Sequence, residues 1–160
     1  MAPTIEGSSR GNGRRIAIVV SRFNDFVTSR LRDGALECLI EQGVSRDDID
    51  EVRVPGAFEI PLAARAAAAT GRYHAVICLG AVTRGETPHF EYVAGACAAG
   101  VERVAADTGV PVMFGVLTTD NPEDAMARAG GARGNKGRDA ALAALEMISV
   151  VAALHDVAAR

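Results

Sequence analysis

The chain of 160 residues is poor in aromatic side chains and has no excess of positive charge. It contains no Trp, two Tyr and five Phe, and its 17 Lys and Arg residues are outnumbered by 20 Asp and Glu. Nucleic acids are bound by basic surfaces, and single strands also by aromatic stacking platforms. Because both are scarce in this sequence, we expect no nucleic-acid partner.

Motifs that bind dinucleotides, nucleotide phosphates or metals are also missing. No G-x-G-x-x-G follows a strand, no G-x-x-x-x-G-K-[ST] occurs, and no His, Cys and carboxylate cluster has metal-ligand spacing. We therefore expect no metal and no cofactor. Cys38, Cys78 and Cys97 are far apart and each has apolar neighbours, so we expect buried free thiols in a reducing, cytoplasmic compartment.

No targeting or membrane segment is evident. Residues 1–12 are rich in Gly and Ser and lack the apolar stretch of a signal peptide. The apolar run over residues 140–153 contains Glu146 and is shorter than a bilayer requires. We expect no membrane association, a flexible tail over residues 1–14 and a single domain over residues 15–158.

Short runs rich in β-branched residues alternate with helical patterns along the chain. Strands are predicted at 16–21, 51–54, 75–80 and 112–117. Helices are predicted at 25–42, 58–70, 88–108 and 136–157, with a short one beginning at Asn121-Pro122 and a Gly-rich linker over 130–135. This alternation predicts the α/β class, as a three-layer αβα sandwich with helices on both faces of a four-stranded parallel sheet.

Two of the helical segments, 94–106 and 140–153, are apolar on nearly every face. A helix of this kind must be buried all round, and a small domain cannot cover its own outer helices. We therefore expect an obligate homo-oligomer, with a surface of low polarity and high Ala content as the alternative.

Chemically useful side chains follow the predicted strands, at the sheet edge where open α/β folds bind ligands. Phe23 could stack on a heteroaromatic ring or cap the core. Glu59 could bind a ligand or favour the dipole of the helix that follows it. Arg128 and Lys136 could bind phosphate or serve only as charges at helix ends.

The loop after the third strand is the most informative segment. It presents Arg84, Gly85, Glu86 and Thr87 in front of a helix N-terminus, which attracts anions. Arg84 and Glu86 could be a surface ion pair, and Thr87 before a Pro is typical of a helix N-cap. We expect His89 to be able to accept a proton, with a structural histidine as the alternative.

Four motifs resemble the 6,7-dimethyl-8-ribityllumazine synthase family. They are VPGAFEIP at 54–61, GAVTRGETPHFEY at 80–92, FGVLTT at 114–119 and GNKG at 134–137, within a resemblance that runs from about 15 to 154. It implies a flavodoxin-like fold and a transferase of riboflavin biosynthesis. This enzyme condenses 5-amino-6-(D-ribitylamino)uracil with 3,4-dihydroxy-2-butanone 4-phosphate and releases phosphate and water.

The resemblance also implies a role for each matching residue. Phe23 would stack on the pyrimidine, Glu59 would accept ribityl hydroxyl groups and His89 would transfer protons. The remaining pyrimidine-site residues would be Ala57, Phe58, Ala81, Val82, Thr83, Phe114 and Lys136. The phosphate would be bound by Gly85, Glu86, Thr87 and Arg128, although Glu86 adds negative charge there. Phe114, Arg128 and Lys136 would come from a neighbouring subunit.

Members of the family assemble as pentamers, in some cases twelve of them in an icosahedral shell. The short linker before Asn135 resembles that of shell-forming members. The N-terminal segment is a candidate to add to a neighbour's sheet, and riboflavin synthase is a candidate partner. The alternative function is a flavin- or lumazine-binding or shell-forming protein of the same fold.

Overall fold

The computed structural model describes residues 2–160. Strands and helices alternate along most of the chain, as the sequence predicts. The strands are β1 (Ile16–Ser21), β2 (Ile49–Val54), β3 (Ala75–Thr83), β4 (Val112–Thr119), β5 (Ala129–Gly131) and β6 (Gly134–Asn135). The helices are α1 (Asp25–Glu41), α2 (Ile60–Ala69), α3 (His89–Thr108), α4 (Pro122–Ala127) and α5 (Lys136–Ala158), with short 3₁₀ turns at Arg46–Asp48 and Ala57–Glu59.

The four long strands form one parallel sheet in the order β2-β1-β3-β4. Every residue of β1 is buried, as are the first seven residues of β3. Central strands of a parallel sheet are covered on both faces, which is why their sequences are continuous apolar runs. The predicted four-stranded parallel sheet is confirmed.

Helices cover both faces of this sheet and separate two hydrophobic cores. Ile16, Ile18 and Val20 belong to the core that also contains α1 and α5, whereas Ala17 and Val19 belong to the core with α2 and α3. Successive residues of a strand point to opposite faces, so β1 contributes to both cores. The three-layer αβα sandwich is confirmed.

Several helix ends follow local sequence signals. The Asn121 side chain accepts a hydrogen bond from the Asp124 N–H at 2.8 Å and caps α4, as predicted. Gly43 and Gly109 follow α1 and α3 with positive φ angles of 101° and 71°, a conformation in which Gly has no steric penalty. The prediction that α3 is capped by Thr87 is wrong, because Pro88 occupies the N-cap position.

Two features differ from the sequence-based prediction. Strand β3 continues to Thr83, beyond its apolar run, because Val82 and Thr83 pair with the last residues of β4. The segment predicted as a Gly-rich linker forms a small antiparallel hairpin, β5 with β6. This hairpin connects α4 to α5.

Helix α5 has 23 residues and ends one residue later than predicted. Among residues 2–160 it is the one helix whose length and composition would suffice to cross a membrane. Ala141, Ala144 and Leu145 on one of its faces are nevertheless buried in the core with α1. Core helices of globular domains pass the same test of length and composition.

Residues 2–15 form neither helix nor strand, and this N-terminal segment contacts its own chain. The N–H of Ser8 donates to Oγ of Ser149 in α5 at 2.6 Å, and the N–H of Gly11 donates to the carbonyl oxygen of Gln42 at 2.8 Å. Addition of this segment to a neighbour's sheet remains a prediction.

Cys38, Cys78 and Cys97 are all buried and free, as the sequence predicts. They lie in the interior with the other apolar side chains, and none lines a cavity described below.

Candidate functional site

A cavity of about 740 Å³ opens at the carboxyl ends of β1, β2 and β3. We call it the aromatic cavity, because Phe23, Phe58, Phe90 and Tyr92 line it. The other lining residues are Pro55, Gly56, Ala57, Glu59, Ala81, Val82, Thr83, Gly85, Thr87, His89 and Val93. This is the edge at which ligands bind in open α/β sheets.

Backbone hydrogen bonds hold Phe23 at the wall of the aromatic cavity. The N–H of Phe23 donates to the carbonyl oxygen of Pro55 at 3.0 Å, which continues the pairing of β1 with β2. Asn24 has a positive φ of 62°, and its side-chain amide donates to the carbonyl oxygen of Ala81 at 2.9 Å. The Phe23 side chain is 70% exposed, so it does not cap the core and its ring is free to stack.

Glu59 ends the 3₁₀ turn that leads into α2. It occupies the N-cap position of α2, where a carboxylate favours the helix dipole, but its side chain makes no capping hydrogen bond. Its Oε1 lies 3.3 Å from the position of a Cβ built on Gly56, so a larger residue at 56 would crowd the carboxylate. Since no described residue donates to it, the carboxylate of Glu59 is available to a ligand in the aromatic cavity.

The loop from Gly85 to Pro88 is exposed and lies between the end of β3 and the start of α3. Gly85 and Thr87 line the aromatic cavity, whereas Glu86 does not. The hydroxyl of Thr87 accepts a hydrogen bond of 3.4 Å from the N–H of His89. His89 is the first residue of α3 and lines the cavity, and no described residue hydrogen bonds to its imidazole.

A second cavity, of about 660 Å³, lies at the end of β4. We call it the charged cavity, because Arg128, Arg133 and Lys136 line it opposite Asp120, Asp124 and Asp139. Phe114 also lines it, together with Val116, Leu117, Thr118 and Thr119. One guanidinium nitrogen of Arg128 donates to the carbonyl oxygen of Asp124 at 3.0 Å, so this side chain closes the end of α4 as well as facing the cavity.

The GNKG motif positions Lys136 at the charged cavity. The side-chain oxygen of Asn135 accepts hydrogen bonds from the N–H groups of Gly137 and Arg138 at 2.8 and 3.1 Å, and its amide donates to Arg30 in α1 at 3.1 Å. Asn135 therefore caps α5 and joins it to α1. These hydrogen bonds fix the start of α5, where Lys136 is the first residue and has an exposed side chain.

The structure thus divides the residues predicted for one site between two cavities. The aromatic cavity brings together Phe23, Ala57, Phe58, Glu59, Ala81, Val82, Thr83, Gly85, Thr87 and His89. The charged cavity contains Phe114, Arg128 and Lys136. Segments after all four strands lie at the carboxyl edge, as predicted, but the segment after β4 lines the second cavity.

Sequence analysis missed several residues at this edge. Tyr92 and Val93 line the aromatic cavity, and the spacing of three residues from His89 to Tyr92 on a helix could have indicated that they share a face. Asn24 was not assigned a role, and no local signal indicated its bond to Ala81. Within residues 2–160, no group of three or more His, Cys, Asp or Glu residues is placed to hold a metal ion.

Fold and cavities together define a doubly wound α/β protein with a small-molecule site at the carboxyl edge of its parallel sheet. Residues 13–152 match the family model described as 6,7-dimethyl-8-ribityllumazine synthase. The chain belongs to this family.

Two relatives are similar over almost their whole length. A 6,7-dimethyl-8-ribityllumazine synthase of Desulfotalea psychrophila (strain LSv54 / DSM 12343) is 53% identical over 151 residues, which cover 94% of this chain and 97% of that protein. A protein of the same name from Syntrophus aciditrophicus (strain SB) is 54% identical over 150 residues, covering 93% and 97%.

Proposed function

We propose that this chain is the transferase that condenses 5-amino-6-(D-ribitylamino)uracil with 3,4-dihydroxy-2-butanone 4-phosphate. The product is 6,7-dimethyl-8-ribityllumazine, formed in the penultimate step of riboflavin biosynthesis. The observation that carries the proposal is the composition of the aromatic cavity: the exposed ring of Phe23, the uncapped carboxylate of Glu59 and the imidazole of His89 all line it. The family membership supports the same activity.

The pyrimidine substrate fits the part of the cavity between Phe23 and Glu59. The ring of Phe23 offers an apolar face for a heteroaromatic ring, and Ala81, Val82 and Thr83 line the same cavity. The Glu59 carboxylate accepts hydrogen bonds only, which suits the hydroxyl groups of a ribityl chain. Ala57 and Phe58 complete this part of the wall.

The phosphate-bearing substrate fits beside the loop of Gly85, Glu86 and Thr87. This loop precedes α3, whose first N–H groups and positive dipole end favour an anion. His89 lies directly after the loop, next to where the reacting carbons would be held. An imidazole there can accept and return protons as the bonds change.

The reaction consists of steps that each move a proton. The aromatic amine attacks the ketone carbon, and loss of water gives an imine. A proton is then removed and the phosphate leaves, which gives an enol that takes up a proton to become a ketone. The ribityl-bearing nitrogen attacks this carbonyl carbon and closes the ring with loss of a further water. Holding the two substrates together contributes much of the rate, up to roughly 7–11 kcal/mol for well-aligned groups, and proton transfer by His89 adds to it.

We further propose that the working site combines the aromatic cavity of one subunit with the charged cavity of its neighbour. The aromatic cavity has no Arg or Lys in its wall, yet a leaving phosphate needs a cation. Phe114, Arg128 and Lys136 line the other cavity of the same chain, at the far strand of the sheet. A second copy of the chain can bring these side chains to the phosphate.

The assembly proposed is a pentamer, with a shell of twelve pentamers as its extended form. Support comes from α3, in which only Cys97, Val101 and Val104 are buried within the single chain although the helix is largely apolar. Riboflavin synthase, which would consume the product, is the proposed partner. The buried free thiols support a cytoplasmic location.

The activity is tested by mixing the two substrates with the purified chain and following lumazine absorbance and fluorescence. Product formation that scales with protein supports the enzyme. If lumazine or flavin binds but no product forms at any substrate concentration, the binding-protein or shell-protein alternative replaces it.

The shared site is tested by complementation between two variants expected to have low activity at limiting substrate, Glu59→Ala and Arg128→Ala. Each variant is dissociated, mixed with the other in equal amount and reassembled. Random mixing should make about a quarter of the sites complete. A complete site needs the intact aromatic cavity of an Arg128→Ala subunit beside the intact charged cavity of a Glu59→Ala subunit. No recovery of activity in verified mixed oligomers would show that each chain forms its site alone.

A further inference from the structure

The Arg84 side chain contacts three other side chains at the carboxyl edge, although the proposed reaction assigns it no role. Its Nε donates to Oδ1 of Asp120 at 3.0 Å, and its Nη1 donates to the carboxylate of Glu91. The guanidinium carbon lies 4.4 Å from the centre of the Phe90 ring, and the backbone N–H donates to the carbonyl oxygen of Thr119 at 2.9 Å. Arg84 is thereby fixed from three sides.

These contacts join the two ends of the proposed phosphate loop. Arg84 precedes Gly85, and its partners Phe90 and Glu91 directly follow His89 in α3. Asp120, its other partner, follows β4 and lines the charged cavity. The guanidinium therefore holds both ends of the loop against the end of β4.

The loop itself has little else to hold it. Gly85 has no neighbouring atom within 4 Å of a Cβ built on it, and the single side-chain hydrogen bond within the loop is the long one from the His89 N–H to Thr87. Residues 84–89 are all exposed in the chain. Their arrangement thus depends on contacts at the two ends, and Arg84 makes most of these.

The charges around Arg84 also argue against a direct role on the substrate. Two carboxylates surround one guanidinium, so the cluster of Arg84, Glu91 and Asp120 has no spare positive charge for a phosphate. The hydrogen bond from Arg84 lowers the pKa of Glu91, which keeps that carboxylate ionised and paired. These hydrogen bonds engage two of the five N–H donors of the guanidinium, and its single positive charge is more than balanced by the two carboxylates.

We propose that Arg84 is a positioning residue that fixes the loop of Gly85–Thr87 and the imidazole of His89 against the end of β4, and that it does not bind the substrate phosphate itself. The expected changes in kcat and KM rest on the proposed function, whereas the expected effect of Arg84 on the loop does not. The side chains of Arg84, Glu91 and Asp120 are 46% to 75% exposed, and exposed ion pairs contribute little to stability. The effect of Arg84 should therefore appear in turnover rather than in thermal stability.

Three variants separate positioning from direct binding. They are Arg84→Ala, Arg84→Lys, and the double variant Glu91→Gln/Asp120→Asn, which keeps Arg84 but removes both of its charged partners. Arg65→Ala is the matched control, because it breaks a comparable exposed pair, Arg65 with Asp107 at 2.7 Å, away from the carboxyl edge.

For a positioning role, Arg84→Ala and the double variant should both lower kcat by about tenfold to a hundredfold, because small misplacements of reacting groups are costly. The KM for the phosphate-bearing substrate should change much less. Arg84→Lys should not restore kcat, since an ammonium cannot bridge two carboxylates in a planar fork. Combining Arg84→Ala with the double variant should add no further loss.

The opposite result would be a large rise in the KM of the phosphate-bearing substrate in Arg84→Ala, with full activity or a lower KM in the double variant. That pattern means that Arg84 binds the phosphate directly, and it overturns the proposal.

Amide hydrogen exchange provides a readout that needs no catalysis. Exchange at the hydrogen-bonded amides of residues 84, 89 and 91 should become at least about tenfold faster in Arg84→Ala and in the double variant, and should stay unchanged in Arg65→Ala. If the wild-type chain makes no lumazine, the proposed function fails, but faster exchange still supports the loop-fixing role. Unchanged exchange in both variants overturns the role of Arg84 even in an active enzyme.

Discussion

Gly137 in α5 lies against the backbone of Leu31 in α1, so closely that a Cβ built on Gly137 would be 2.0 Å from the Leu31 carbonyl oxygen. No side chain fits at that distance. The contact sets how near the two helices approach at the point where α5 begins. Lys136 precedes Gly137, so the same contact places a side chain of the charged cavity.

Gly137→Ala should therefore destabilise the fold, by about 1–3 kcal/mol or more, since overpacking forces the backbone to shift. Urea unfolding measures the loss. Gly95→Ala is the control, because it is another helical glycine and has no atom of the chain within 4 Å of a built Cβ. It should be neutral or stabilising by up to about 1 kcal/mol through helix propensity. Equal losses in both variants would mean that the Leu31 contact is not the cause.

Glu59→Gln should weaken binding of the pyrimidine substrate without changing stability. The Glu59 carboxylate makes no capping bond to α2, so its removal costs the helix little. A hydrogen bond to a charged group contributes roughly 1.5–3 kcal/mol, which corresponds to a rise in KM of about tenfold or more. Steady-state kinetics and thermal melting measure the two effects, with Glu37→Gln on the exposed face of α1 as the control. A lower melting temperature with unchanged KM would assign Glu59 a structural role instead.

His89→Ala should slow turnover without abolishing it. General acid–base catalysis contributes about 10²–10⁴-fold, whereas orientation of the two substrates survives the substitution. The measurement is kcat with both substrates saturating, together with binding of the pyrimidine substrate alone. A completely inactive variant that still binds substrate normally would show that orientation contributes less than proposed here.

The stability of the fold should decline as pH falls below about 6.5, because of His74. Burial lowers the pKa of His74, and the charges of Arg15 and Arg14 act in the same direction, against Asp48. Its Nδ1 accepts a hydrogen bond from the Arg15 N–H at 2.9 Å, which requires an unprotonated nitrogen. The unfolded chain thus binds this proton at a higher pH than the folded chain. Stability is fully present above the unfolded pKa and is lost as pH falls towards the folded pKa.

His74→Asn tests this dependence, because its side-chain oxygen can accept the same hydrogen bond without titrating. Urea unfolding of both proteins between about pH 7.5 and pH 5 should give a flatter profile for the variant. This range lies above that in which carboxylates such as Asp50 and Glu51, whose pKa values are lowered by Tyr73 and Arg32, begin to contribute. Parallel profiles would assign the loss to another group.

The sheet and the long helices could be predicted because their signals are local. The apolar runs of β1 and β3 indicate buried strands, and the 3.6-residue periodicity of α1 indicates a helix with one buried face. Each of these signals lies within the segment itself. The last residues of β3, up to Thr83, could not be predicted in this way, because they are strand only through pairing with Thr118 and Thr119 of β4. The hairpin of β5 and β6 is built largely from Gly and Ala, which have low strand propensity.

The sequence predicted which residues form the site but not how they are arranged in space. The segments that follow the strands indicated Phe23, Glu59 and His89, and the parallel topology indicated that they share one edge. The division into two cavities depends on the strand order, in which β3 separates β1 from β4. Arg84 illustrates the same limit: its sequence neighbours suggested a surface pair with Glu86, whereas its partners Glu91 and Asp120 are known only from the folded chain.

The three buried cysteines make the folded chain resistant to thiol reagents, since burial raises the pKa of each thiol and shields its sulfur. Cys38 lies in the core with α1 and α5, whereas Cys78 and Cys97 lie in the core with α2 and α3. Labelling at each cysteine, resolved by mass spectrometry, would report when that core opens to solvent. The labelling rates of these cysteines therefore measure separately how often the core on each side of the sheet opens.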